Sequence, residues 1–227
     1  MASLNTRAYR TRHMTSITLE DHADHTTPDA DSAPAQRAIE QLLSRRSHWP
    51  LSEPAPSPAE LTRIFDAAMR APDHGRLHPW RFVVIRGEAR RAFGDVLVDL
   101  AAARSPEEPR SAHEHRRQRA MAAPLIIALV AAVDRSSSVP ELEQLLSVGA
   151  AAMNMLNVIH LYGYGGFWAT GVDTYEPGMH RALGLDAAQR LLGFLFVGTP
   201  QKEGQPARRP FSEAHVREWQ PVRSAQQ

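Results

Sequence analysis

The chain has 227 residues, enough for one well-buried domain with some residues to spare. Its formal charge of +1 gives no field that would select a nucleic acid or an anionic membrane as partner. Zero cysteines exclude disulfides, thiolate nucleophiles, iron–sulfur clusters and Cys-ligated zinc, so redox chemistry would have to come from a bound organic cofactor or a His/carboxylate metal.

Residues 1–34 hold few large apolar side chains and many Thr, Asp, His, Ala and Pro, so a disordered arm is expected there. No apolar segment follows Arg7, Arg10 and Arg12, which speaks against a secretory signal and for a cytoplasmic protein. The expected domain runs over 35–205. From Ala35 to Ser47, Ile39, Leu42 and Leu43 recur at helical spacing and Arg45-Arg46 close the last turn. A Pro-rich connector follows, and Ser57 is placed to cap a helix at Pro58 with Glu60 in its first turn and Leu61, Ile64, Phe65, Ala68 and Met69 as its buried stripe.

Pro72 ends that helix and opens a polar loop carrying Asp73, His74, Arg76 and His78, which closes at Pro79-Trp80 and runs into the apolar strand Phe82–Ile85. Polar side chains held between two rigid elements make this loop the first place to seek function. A helix is expected over 88–104, then a mobile surface segment over the polar residues 105–120. Ala123–Val133 is apolar throughout and reads as a strand covered on both faces.

From Pro140 to Tyr162 the apolar residues leave almost no polar face, so this helix should be buried all round. Ser147, Asn154 and Asn157 interrupt it, and no fully apolar stretch reaches the roughly 20 residues of a membrane span. It reads as a central helix or one shared with a second subunit. Gly163, Gly165 and Gly166 stop it, a short helix follows near 177–183, and Leu191–Gly198 supplies a last buried strand before a basic, Pro-bearing tail over 206–227. Strands and helices mix without repeats, which gives an α+β class with a central mixed sheet among helices.

Each candidate for chemistry has a plain structural reading beside the functional one. Arg45-Arg46-Ser47 is either a favourable cationic helix end or a phosphate site made of guanidinium forks and a hydroxyl. His74 and His78 are four apart with Asp73 beside them, which permits a metal-dependent hydrolase, but they sit in a loop and no third ligand suggests itself. Trp80 and Trp168 read as core aromatics when each is taken alone. The glycines at 163, 165 and 166 follow a helix and precede a strand, the reverse of a dinucleotide fingerprint, and no nucleophile elbow is present.

Taken together and in order, RRS, MRAPDHGRLHPWRFVVI, APLIIALVA, the long apolar helix into GYGGFWATG, and LLGFLFVGTPQ resemble the nitroreductase family, most closely its compact NAD(P)H-dependent branch. The resemblance spans about residues 35–201. It implies a homodimer with FMN at the subunit interface, taking electrons from NADH or NADPH and passing them to a small electron-poor acceptor such as a nitro compound or quinone. It also implies that Arg45, Arg46 and Ser47 grip the flavin phosphate and ribityl chain, that Arg70 and His74 are further flavin contacts, and that Trp168, Ala169 and Thr170 lie along the ring. The stretch Val158, Ile159, His160, Leu161, Tyr162 and Gly163 corresponds to one associated with the nicotinamide nucleotide. The chain departs from the family pattern at His78, where many relatives have Gln, and at Trp168-Ala169-Thr170, where the compact branch has Trp-Arg-Ser. The second change removes a guanidinium, so a flavin-binding protein without turnover is the rival reading.

Overall fold

The computed structural model describes residues 33–202 and 215–221, so nearly all of the expected arm over 1–34 and most of the expected tail over 206–227 lie outside the described residues. Helix α1 (Ala33–Ser44) opens the described chain and buries none of its residues, leaving Ile39, Leu42 and Leu43 exposed. A two-residue strand β1 (Leu51–Ser52) lies in the Pro-rich connector. Helix α2 (Pro58–Ala68) starts as its sequence dictates: the Ser57 hydroxyl accepts from the Glu60 amide, and the Glu60 carboxylate accepts from the Ser57 amide, at 2.7 Å. That pairing holds the Glu60 carboxyl below its ordinary range, and Tyr164 adds a hydroxyl bond to it at 3.1 Å.

The core is a five-stranded sheet. Strand β2 (Trp80–Arg86) pairs with β3 (Leu125–Ala132), β3 with β5 (Gln189–Pro200), and β5 also with β1 and with β4 (Gly165–Ala169). Every named ladder is antiparallel, and one isolated parallel bridge joins Ser47 to Gly166. Strand β3 is covered on both faces, as its unbroken apolar run requires. Leu125, Ile127, Leu129 and Ala131 face α2 and the long helix α5 (Glu141–Leu161), while Ile126, Ala128 and Val130 face α3 (Ala89–Arg104), α4 (His115–Met121) and α6 (Pro177–Ala182).

Besides the sheet, expected to be mixed but antiparallel in every named ladder, two expectations change. The polar residues 105–120, read as a mobile surface segment, form a 3-10 turn and α4, laid on α3 by charge. Arg117 pairs with Asp95 and Glu114, and Arg110 with Asp99 and Glu114, so ion pairs replace the apolar periodicity by which the helix would have been recognised. The second concerns α5, expected to be buried all round. Ser147, Val148, Ala151, Ala152, Met155, Leu156 and Ile159 form its buried face, but Leu142, Leu146, Met153 and Leu161 stand exposed along the other. Among the described residues, nothing covers those four side chains fully. By length and mean hydropathy α5 could cross a membrane, yet its inner face packs on α2 and the sheet as a core helix does.

Candidate functional site

The Arg45–Ser47 segment leaves α1 and runs beside the start of β4. Ser47 makes the parallel bridge to Gly166, and the His48 amide donates to the Gly166 carbonyl at 3.4 Å. Arg45 and Arg46 are half-buried and the Ser47 side chain is exposed. The Gly163 end of α5 enters the same corner. Gly163, at φ 82, closes α5 with its amide on His160 and the Tyr164 amide on Ile159, a left-handed helix stop that needs glycine. His160 reaches Ser44 with Nε2 2.9 Å from Oγ. The Ser44 hydroxyl donates its one hydrogen to the Gln41 carbonyl, so His160 Nε2 must be the donor of this pair. Burial, then the charge of Arg46 and the neighbouring His160, hold the His48 imidazole below its ordinary pKa. The corner is cationic, with the exposed Ser47 at its edge, and suits a phosphate.

Beyond Gly166, β4 carries the next predicted residues. The Trp168 indole N–H donates to the Leu192 carbonyl at 3.2 Å, and its ring packs on the α2/α5 face, so much of its role is structural. Ala169 is buried on the opposite face and offers no polar side chain. Thr170 is exposed at the strand's end, lining a cavity of about 60 Å³ with Phe93, Leu97, Arg116 and Arg119. The four steps along the extended chain from Gly166 to Thr170 span about 13 Å. Gly193 permits this placement. It sits at φ 127 beside a bulge in β5, and a Cβ there would stand 2.6 Å from the Ala169 carbonyl oxygen and 2.7 Å from Trp168 Nε1.

Arg70 and His74 lie elsewhere. Arg70 is exposed past the end of α2, and His74 meets the first turn of α5, its Nδ1 2.6 Å from Glu143 Oε2. Glu143 and His160 are separated by seventeen residues of α5, or about 26 Å of helix. The predicted site residues thus form two sets at opposite ends of one helix. Within the nicotinamide stretch, Ile159 is fully buried and Val158 packs against the same core, so these two serve the fold, while His160, Leu161 and Tyr162 face outward. His78, read beside His74 as a possible metal ligand, lies near Asp73 at 3.9 Å, and no group of three or more His, Asp or Glu side chains converges among the described residues.

Over residues 42–199 the chain matches the family described as the Nitroreductase family. The chain belongs to the nitroreductase family. YdjA of Escherichia coli (strain K12), provisionally named an NAD(P)H nitroreductase, is 41% identical over 164 residues that cover 72% of this chain and 88% of that protein. The solved structure of a nitroreductase-like protein from Bacillus cereus superposes with a TM-score of 0.66 at 23% identity, covering 78% of this chain and 93% of that one. A Desulfovibrio desulfuricans protein, also provisionally named a nitroreductase and solved in complex with FMN, gives 0.59 at 28% identity and covers 83% and 98%.

Sequence reasoning missed Ser44, His48, Glu143, Arg116 and Arg119 in this nitroreductase. His48 adjoins a recognised motif and could have been added to it. Glu143 had no local signal, since it is 69 residues from His74.

Proposed function

We propose that the chain is an FMN-dependent oxidoreductase, active as a homodimer, that takes electrons from NADH or NADPH and delivers them to a small electron-poor acceptor. The observation that carries this reading is the separation of the two predicted contact sets by the length of α5. One flavin reaches both only if a second chain, with its α5 antiparallel, brings its Arg70 and His74 end to the Arg45 and Arg46 end of the first. The bare apolar stripe of α5 and the exposed face of α1 supply the surface for that pairing.

The residues fit FMN. Arg45, Arg46 and Ser47 form a cationic corner for the phosphate, and β4 leads from that corner to Thr170 at the distance over which the rest of the nucleotide would extend. The names of the relatives, NAD(P)H nitroreductase and a nitroreductase complexed with FMN, support the same chemistry. When bound, FMN supplies hydride acceptance at N5 and onward electron transfer. The protein's part is to bind, to orient and to exclude competing solvent. Ala169 contributes no side-chain donor, which is the one feature that favours a flavin-binding protein without turnover. Steady-state NAD(P)H oxidation with nitroaromatic and quinone acceptors separates the two readings.

The two-chain site is tested by co-expressing differently tagged Arg46→Ala and His74→Ala chains and isolating the mixed dimer. If the two positions serve one flavin from different chains, the mixed dimer has one doubly altered site and one intact site and regains about half of wild-type activity. If activity stays as low as in either parent, both residues serve a flavin from the same chain and the two-chain reading fails.

A further inference from the structure

We propose that Glu143 is the positioning residue of the flavin site, acting through His74 by fixing the tautomer and direction of its imidazole. The inference rests on the reading of His74 as a flavin contact. A carboxylate only accepts hydrogen bonds, so the 2.6 Å approach of Glu143 Oε2 to His74 Nδ1 places the imidazole proton on Nδ1. Nε2 is then the ring atom left for a ligand, on a side chain 68% exposed in the single chain.

The surroundings set this ring as a site sets one. Ser147, one turn after Glu143 on the same face of α5, donates its hydroxyl to the Pro72 carbonyl at 2.6 Å. Two side chains of one helix therefore hold the backbone just before His74 and the ring of His74 itself. Asp73 fixes the other side of the loop, accepting from the Leu77 amide at 3.2 Å and the His78 amide at 2.8 Å. Gly75, at φ 73, turns the chain away immediately after His74, against Val139. The neighbouring acid on α5, Glu141, is occupied by Arg190 at 3.5 Å, whereas Glu143 is committed to His74. With Nδ1 held by Glu143, it is Nε2 that faces a ligand, and in the neutral ring its lone pair accepts from a ligand N–H or O–H such as the flavin ring imide or a ribityl hydroxyl.

The test compares full-length wild type with Glu143→Leu, Glu143→Gln and His74→Gln. Imidazole ¹⁵N shifts are recorded at about pH 9, where an ordinary imidazole is neutral, with the His74 signals identified by their loss in His74→Gln. Wild type and Glu143→Gln, whose amide oxygen still accepts, should show the Nδ1–H form, and Glu143→Leu the Nε2–H form. FMN affinity should fall about tenfold in Glu143→Leu and recover in Glu143→Gln, with the thermal midpoint unchanged, since an exposed pair adds little stability. An Nε2–H tautomer in wild type overturns the proposal. So does a tautomer change in Glu143→Leu without loss of FMN affinity, provided that His74→Gln does lose it. If His74→Gln itself binds FMN normally, it is the placement of His74 at the flavin that fails, and Glu143 has no site to position.

Discussion

Asp73, Arg76 and His78 show how single residues shape the loop that carries His74. Arg76 and His78 hold φ of 54° and 47°, in the left-handed region that side chains with a Cβ rarely occupy, and the Asp73 carboxylate offsets that strain by accepting two backbone amides. The adjacency of Asp and His in the sequence suggested a metal site. In the fold Asp73 is a loop-capping residue. His48 makes a different point at the same scale, because its lowered pKa ties the cationic corner beside Arg46 to pH. A histidine depressed below 6.5 in the folded state costs nothing above that value, where both states are neutral. Below it the unfolded chain takes up a proton that the folded chain resists, so stability falls as pH falls through 6.5 toward the folded pKa. Thermal midpoints measured from pH 8 down to pH 5 should therefore drop less in His48→Gln than in wild type. Equal slopes would show that His48 is not the group responsible.

At the scale of elements, β4 depends on the shape of β5. The bulge opposite Leu129 and Val130, together with Gly193, lets the β4 backbone and the Trp168 indole approach more closely than a side chain at 193 allows. Gly193→Ala combines an unfavourable φ with overpacking against a carbonyl oxygen and an indole nitrogen, and should cost roughly 2–4 kcal/mol. Urea denaturation would measure that loss. The same variant should be purified with less bound flavin, because the segment from Trp168 to Thr170 must move. Helix α4 illustrates an element that apolar pattern cannot reveal, since Ala120 is its one buried residue and an ion pair, Arg117 with Asp95, ties it to α3. A network of Arg104 and Arg116 with Asp173, and of Arg104 with Glu176, ties α3 and α4 to the segment after β4, so these helices also fix where Thr170 lies.

At the scale of the molecule, the exposed stripe of α5 is the surface on which the proposed dimer rests. Leu142 and Leu146 are 66% and 63% exposed, and burying such side chains is worth about 1.5–3 kcal/mol each. Leu146→Glu places a charge in the middle of that face. Sedimentation of the variant should give a monomer, and its flavin content should fall with the dimer. A variant that stays dimeric and flavin-loaded would move the subunit contact to another face.

The sequence by itself determined which segments are helices and strands wherever the signal is local. Examples are the Ser57, Pro58 and Glu60 start of α2, the apolar run of β3, and the glycine that stops α5. It also supplied, through the order of five motifs, the family and a set of candidate site residues. What only the tertiary structure decided is which of those residues meet. Ser44 reaches His160 across 116 residues and His74 reaches Glu143 across 69, while those two α5 partners, His160 and Glu143, lie about 26 Å apart along the helix. The reason is physical: side-chain periodicity encodes backbone state and burial over a turn or two, but partners far apart in the chain are chosen by sheet register, by the bulge in β5 and by the length of the helix between them.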